Sequence, residues 1–389
     1  MLKQQKSVYN SSLVISHSPL IKVVTVGGFD HVKAVPIGGN NPIVIQTMWK
    51  DRLLPDDIEG KALRGLVDRI NRLEALGCGL LRFAVPDIES AGILGRLASV
   101  VSMPLCADIH FDYKIALRCL DFPIAKLRIN PGNIGKRANV EAVLAKAAKK
   151  HVPIRIGINA GSLPMDLREK ATKGLCSEAM LLAAEQELAI FKEFGFTDVL
   201  ISMKASEIAD TLKANRLLHE RTDFPLHIGL TEAGPLVPGV VRNTAALLPL
   251  LIDGIGDTIR VSLSDTAENE VIAAREILAA AAECVSDSRL KGRLEQQGAK
   301  IISCPRCGRC GFDTHAFTGR WMHKLYSLKK SISVAIMGCE VNGPVEAKNA
   351  DIGITGTGNA ILIFSRGKVI RKVNAAEADE AFKEELEKL

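Results

Sequence analysis

The stretch "CPRCGRC" sets Cys304, Cys307 and Cys310 at three-residue intervals in a chain whose other cysteines are isolated. Thiolates at C-x2-C spacing converge on a soft or borderline metal. Zinc would complete its tetrahedron from another cysteine or from His315 or His323. The same spacing, with Cys339 downstream, also fits a [4Fe-4S] centre of the ferredoxin kind. A thioredoxin-like redox pair fits less well, because such pairs follow an early strand of a small βαβ fold. Spacing alone leaves zinc and iron-sulfur both open. Beyond Cys339, after an "NGP" turn, stands Glu346. Three thiolates with one displaceable carboxylate would leave an iron open to a substrate oxygen; the alternative is a solvated turn residue.

A second group of chemistry-bearing residues lies in apolar segments. Arg82, Arg128, Arg155, Lys204, His227 and Arg260 interrupt runs that otherwise read as strands buried on both faces. In "KLRINPG", "PIRIGINAGS" and "TIRVSLS" each arginine is followed at even spacing by Asn130, Asn159 or Ser262, which puts each pair on one side of its strand. Arginine forks match phosphate oxygens, so cations converging there would hold a phosphate or diphosphate. The plainer reading pairs each arginine with a carboxylate such as Asp87, Asp108 or Asp265 in a structural network, but these acids are too few. Glu232, in "HIGLTEAGP", would serve either as an acid/base group in that field or as an anchor for an arginine. Asp108 and His110 share a strand face and rank lower as candidates.

The elements that must position these groups follow from periodicity. Eight strand-length segments, "PIVIQTM", "LLRFAVP", "PLCADIHF", "AKLRINPG", "PIRIGINAGS", "DVLISMKAS", "PLHIGLTEAG" and "TIRVSLSDT", alternate with helical patterns such as "IEGKALRGLVDRINRLEALGC". Eight βα units predict a parallel sheet closed as a TIM (β/α)8 barrel, with an open doubly wound sheet as the alternative. After "NEVIAAREILAAAAECV" the pattern changes. The charged "SDSRLKGRLEQQGAKII" reads as a connection, and "SISVAIMGC", "DIGITGT", "AILIFSRGKVIRKV" and a final helix "AAEADEAFKEELEK" predict a small α+β module. The expected division is a barrel over 1–283 and a cluster domain over 284–389.

Composition narrows the class. With 47% hydrophobic and 24% charged residues and no long uninterrupted apolar run, a large core without a membrane span is expected. The N-terminus lacks a signal-like apolar region, and nine scattered cysteines fit a reducing compartment, so the expected location is cytoplasmic. Cys78, Cys106, Cys119, Cys176 and Cys284 read as small buried hydrophobes. The net charge of +6 is dispersed and aromatics are 4%, which argues against nucleic acid and fits a small anionic substrate.

The blocks "VPIGGNNPIVIQTM", "ADIHFDYKIAL", "LRINPGNIG", "HIGLTEAG", "GIGDTIRVSL", "CPRCGR" and "MGCEVNGP" resemble, in order and over nearly the whole chain, the bacterial 4-hydroxy-3-methylbut-2-en-1-yl diphosphate synthase family, in its short two-domain form. The resemblance implies a TIM barrel followed by an α+β iron-sulfur domain similar to modules of sulfite and nitrite reductases. It implies reductive opening and dehydroxylation of 2-C-methyl-D-erythritol 2,4-cyclodiphosphate in the methylerythritol phosphate route to isoprenoids. It implies a [4Fe-4S] cluster on Cys304, Cys307, Cys339 and Glu346, with Glu346 exchanging for a substrate oxygen. Substrate-binding residues carried over are Arg82, Arg128, Arg155, Asn159, Lys204, His227, Arg260 and Ser262, and Glu232 matches the family's active-site acid. Flavodoxin or ferredoxin would donate electrons, and a head-to-tail homodimer would complete the site. Three departures stand out: Val345 replaces a glycine of the family's "VNGPGE", "WKDRLLPDDIEG" replaces a "TNT"-type segment so that Trp49, Lys50 and Arg52 inherit no binding role, and Cys310 is an additional cysteine expected to be a bystander.

Overall fold

The computed structural model describes residues 20–339, 347–357 and 360–389. A short hairpin opens the chain, β1 (Val24–Val26) against β2 (Val35–Ile37). Eight parallel strands follow: β3 (Val44–Met48), β4 (Cys78–Ala84), β5 (Leu105–Asp108), β6 (Lys126–Ile129), β7 (Ile154–Asn159), β8 (Val199–Lys204), β9 (His227–Ile228) and β10 (Thr258–Ile259). They pair in the order β8-β7-β6-β5-β4-β3-β10-β9, and a parallel bridge from Ile201 to Leu226 joins the two ends of that sheet. The predicted barrel is therefore present, strand for strand.

Helices wrap the outside because the outer faces of the strands are largely apolar, and side-chain caps fix several helix starts. Asp87 accepts from the Ser90 amide, Asp112 from that of Lys114 and Thr266 from that of Asn269. The opening hairpin was not expected; its strands are only three residues long, too short for an alternation signal. Val24, Val26, Val32 and Ile37 pack with Leu80, Ala125 and Leu200, capping the N-terminal end of the barrel. Gly38 (φ +97) is required there, since a Cβ would stand 2.1 Å from the Lys22 carbonyl.

The charged connection contains more structure than its composition predicted: a helix over Ser288–Leu294, started by Asp287, and then β11 (Ala299–Ser303). β11 pairs in parallel with β12 (Ile332–Met337), which pairs with β13 (Ile352–Thr357); β14 (Ala360–Ser365) and β15 (Lys368–Val373) extend the sheet antiparallel. The helices Thr314–Tyr326 and Ala378–Glu387 pack Phe317, Trp321 and Phe382 into one aromatic cluster on this sheet. Arg275 joins this module to the barrel: Nη1 donates to the Leu76 carbonyl at 2.7 Å and to the Tyr326 carbonyl at 2.8 Å. Cys78, Cys106 and Cys119 are buried as expected, whereas Cys284 is exposed at the end of its helix, where nothing packs over it.

Candidate active site

At the C-terminal ends of the barrel strands, seven of the eight strands or their following loops contribute to one cavity, lined by Arg82, Asp108, His110, Arg128, Arg155, Asn159, Lys204, Thr231, Arg260 and Ser262. Period-two alternation, parallel register and strand tilt bring these side chains inward together. Two glycines create their room. A Cβ at Gly157 would stand 2.4 Å from Arg128 Nε, and one at Gly229 would stand 2.5 Å from Lys204 Nζ.

The cavity holds more positive than negative charge. Asp108 is shared: Oδ1 lies 3.1 Å from Arg128 Nη1 and Oδ2 lies 3.6 Å from Arg82 Nε. Burial would raise its pKa, but Arg82, the hydrogen bond from His110, and Arg128 outweigh that and hold the carboxyl well below the usual range. Arg260 meets Glu270, which also binds Lys50, the Thr47 hydroxyl at 2.6 Å and the Leu263 amide at 3.0 Å. With the Asn159 amide turned so that Oδ1 accepts, it takes Arg128 Nη2 at 3.3 Å. Arg128 Nη1 also reaches His110 Nε2 at 3.0 Å.

On the floor of the cavity and beneath it the barrel is filled by polar groups, where branched apolar residues are usual. Lys126 Nζ donates across the barrel to Gln46 Oε1 at 2.7 Å, Arg155 Nη1 donates to Ser202 Oγ at 2.7 Å, and His227 Nδ1 lies 2.7 Å from Thr258 Oγ1. Arg155 Nε and Nη2, His227 Nε2, Arg82 Nε and Arg260 Nε are buried without a hydrogen-bond partner among the described residues. Burial, followed by the neighbouring guanidinium groups, pushes Arg155 down to about 9. Burial first, then Arg155 and Arg260, pushes Lys204 well below its ordinary value, and burial with Lys204 does the same to His227. Buried cations crowded together with few counter-charges favour an anionic ligand.

The predicted residues divide accordingly. Arg82, Arg128, Arg155, Asn159, Lys204, Arg260 and Ser262 line the cavity. His227 lies inside the barrel among the groups beneath it. Glu232 does not line it: the side chain is exposed on the loop after β9 and accepts from Ser206 Oγ at 3.0 Å, with φ at +55. Asp108 is an arginine partner, as the plainer reading allowed, but Asp87 pairs with Arg52 and Asp265 binds Thr266 and Asn269. Glu270, Lys50, Lys126 and Gln46 were missed. A lysine within "AKLRI", even-spaced with Arg128, was the available signal for Lys126; Glu270 had none, because its role depends on where a helix crosses a strand end.

The second candidate group lies at the ends of β11 and β12. The parallel register places Ser303 beside Ile336, and the Cys304 amide donates to the Ile336 carbonyl at 2.9 Å, so Cys304 and Cys339 leave neighbouring strands at the same end of the sheet. Cys307 is exposed on the loop, and Cys339 is buried. Space is kept by Gly338, whose missing Cβ would stand 2.6 Å from Cys310 Sγ and 3.7 Å from Cys304 Sγ. Cys310 itself donates to the Phe312 carbonyl at 2.8 Å. Among the described residues no three metal-binding side chains converge on the spacing of a single ion. Glu346 and Val345 lie outside the described residues. Cys304 and Cys310 thus lie together beside Gly338, with Cys307 on the same loop and Cys339 at the adjacent strand end, and a soft thiol donor set of this kind suits an iron-sulfur centre better than a hard cation.

A family model described as GcpE TIM-barrel domain matches residues 30–275, and one described as GcpE protein C-terminal domain matches residues 300–388. The 4-hydroxy-3-methylbut-2-en-1-yl diphosphate synthase (flavodoxin) of Treponema pallidum (strain Nichols) is 49% identical over 384 residues, covering 94% of this chain and 91% of that protein. The enzyme of the same name from Treponema denticola is 47% identical, covering 95% of this chain and 99% of its own. That of Thermodesulfovibrio yellowstonii is 42% identical, covering 92% and 97%. No described helix is long and apolar enough to cross a membrane.

Proposed function

Because this chain belongs to the 4-hydroxy-3-methylbut-2-en-1-yl diphosphate synthase family, we propose that it reductively opens 2-C-methyl-D-erythritol 2,4-cyclodiphosphate to 4-hydroxy-3-methylbut-2-enyl diphosphate, as an oxidoreductase of isoprenoid biosynthesis. The substrate gains two electrons and two protons, its ring carbon–oxygen bond to the diphosphate breaks, and one oxygen leaves as water. The observation that carries the reading is the excess of buried cations over Asp108 and Glu270 at the barrel mouth.

In this reading Arg82, Arg128, Arg155, Lys204 and Arg260 hold the diphosphate, and Asn159 and Ser262 orient it. As the ring opens, negative charge grows on the departing phosphate oxygen, and donors already fixed by the barrel stabilise it without reorganising. His227, with one nitrogen on Thr258, supports the cation layer from below. Glu232, on the rim, is the acid that would reach the organic part of the substrate once the mouth is covered.

Cys304, Cys307 and Cys339, with Glu346 as fourth ligand, would hold a [4Fe-4S] cluster that supplies electrons singly at low potential. A flavodoxin or ferredoxin is the proposed donor, which the relatives' name supports for flavodoxin. We draw the division at 283/284, where the helix Ala267–Cys284 ends; Leu294 beyond it still packs on the barrel core. A head-to-tail homodimer is supported by apolar side chains left open after the strand ends: Phe111 on a loop and Met165 and Val237 at helix starts are 78%, 82% and 72% exposed. A cytoplasmic location is supported by Cys78, Cys106 and Cys119, which are buried as thiols and not joined in disulfides.

The test is anaerobic turnover of the cyclic diphosphate by cluster-reconstituted protein with a strong chemical reductant. Linear allylic diphosphate is expected, and its absence from protein with an intact cluster would reject the assignment.

A further inference from the structure

Beside the cation cavity, and sharing Asn159 with it, lies a second pocket lined by Asn130, Asn133, Ser162, Arg168 and Glu187. Its charged groups are few. Glu187 sits on the inner face of the helix Cys176–Phe194 and is 9% exposed. Oε1 accepts from the Gly132 amide at 2.9 Å, while Oε2 is buried without a hydrogen-bond partner among the described residues. A Cβ at Gly132 would stand 2.8 Å from Oε1 and push the carboxyl off its present seat.

The carboxyl thus plugs the turn that begins at Asn130, two residues beyond Arg128. Among the described residues no cation pairs with it. Arg168, in the same pocket, spends Nε on the Leu163 carbonyl at 2.7 Å. Arg137 and Lys213, on the flanking helices, face outward and pair with Glu193 and Glu178 at the ends of Glu187's own helix. Asp210 engages Ser177.

We propose that Glu187 is a positioning residue for the diphosphate site: its buried carboxyl anchors the 130–135 loop beside Arg128 through the Gly132 amide, and it opposes the incoming anion least while its unpartnered second oxygen carries no charge. The proposal rests on the diphosphate reading given above. Its physical basis is that a carboxylate with one unpartnered buried oxygen is costly, whereas the neutral acid still accepts from Gly132. Burial pushes its pKa up to about 7, against the opposing effect of the Gly132 amide, so ionisation falls within the working range of pH.

The test is equilibrium binding of 2-C-methyl-D-erythritol 2,4-cyclodiphosphate between pH 6 and 8.5, by the wild type and by Glu187→Gln. This ligand suits the experiment because its phosphate groups carry only strongly acidic protons and keep one charge throughout. Wild-type affinity should fall several-fold more than that of Glu187→Gln, because the amide keeps the acceptor for Gly132 and cannot ionise. Parallel pH profiles for the two proteins would overturn the proposal and leave the diphosphate reading standing. No binding by either protein at any pH would overturn both. If the variant does not fold, infrared titration of the wild type decides: a buried protonated carboxyl that persists at pH 6 and disappears toward pH 8 is expected, and its absence at pH 6 overturns the proposal.

Discussion

Arg260 Nη2 lies 3.3 Å from Glu270 Oε1, and that carboxylate already serves Lys50, the Thr47 hydroxyl and the Leu263 amide. One acid therefore ties the strand ends of β3 and β10 to the last helix of the barrel, Ala267–Cys284. Its burial would raise the pKa, but Arg260, Lys50 and Thr47 outweigh that and lower it. A lowered folded-state value means that the stabilisation is present above the unfolded pKa and is lost as pH falls through the folded one.

Glu270→Gln should destabilise the protein by about 3–5 kcal/mol near neutral pH, because Arg260 remains buried without its counter-charge. Denaturant unfolding from pH 7 down to 3 measures this. The gap between wild type and variant should narrow as the medium drops below the ordinary glutamate value of 4.5; a gap independent of pH would reject the ion pair as its source.

Arg155 presents the opposite case. It is 1% exposed, with Nε and Nη2 unpartnered among the described residues. Arg155→Met keeps much of the volume and removes a buried charge, so stability should hold or rise by about 1–4 kcal/mol. A loss of several kcal/mol in denaturant unfolding would show instead that the guanidinium is a structural strut.

Glu187→Gln should separate from the wild type in a defined pH window. A carboxyl whose pKa rises from 4.5 to about 7 on folding costs nothing below 4.5, an increasing amount up to 7, and a constant amount above it. The variant's relative gain should reach about 3 kcal/mol at most, by the linkage between pKa and stability. Unfolding midpoints at pH 4, 6 and 8 would reveal it, and equal differences at all three would contradict it.

The barrel was legible because each strand is a short apolar run stopped by Pro, Gly, Ser or Asp, and because arginine and its polar partner fall at even spacing. Arg155 with Asn159, and Gly157 between them, already describe a strand that turns polar groups and space to the same side. What stayed hidden depends on crossings between elements distant in sequence. Glu270 lies one turn into a helix, and only the closed barrel brings it to Arg260. Glu187 was closer to legible: it falls on the same helical stripe as Ala183, Ala184 and Leu188, all buried, which marks an acid on an apolar face. Glu232 shows the reverse limit, since a strand-end position did not reveal that its side chain turns outward.

Gly338 and Cys310 should prove interdependent. An alanine at 338 would bring its Cβ to 2.6 Å from Cys310 Sγ, closer than packed atoms tolerate. Reconstituted Gly338→Ala should retain less iron and sulfide per chain, Cys310→Ser should retain the wild-type amount, and Gly338→Ala with Cys310→Ala should recover most of the loss. Loss of iron in Cys310→Ser alone would mean that this thiol is a ligand and not a neighbour.

The measurement that bears most directly on the cation cavity is the affinity of wild type and Arg155→Met for the cyclic diphosphate, in the same buffer and salt. Hydrogen bonds to charged groups contribute about 1.5–3 kcal/mol each, so the variant should bind about ten- to a hundred-fold more weakly while remaining folded. Equal affinity in the two proteins would contradict the account, because the diphosphate would then lie away from the centre of the cavity that these buried cations define.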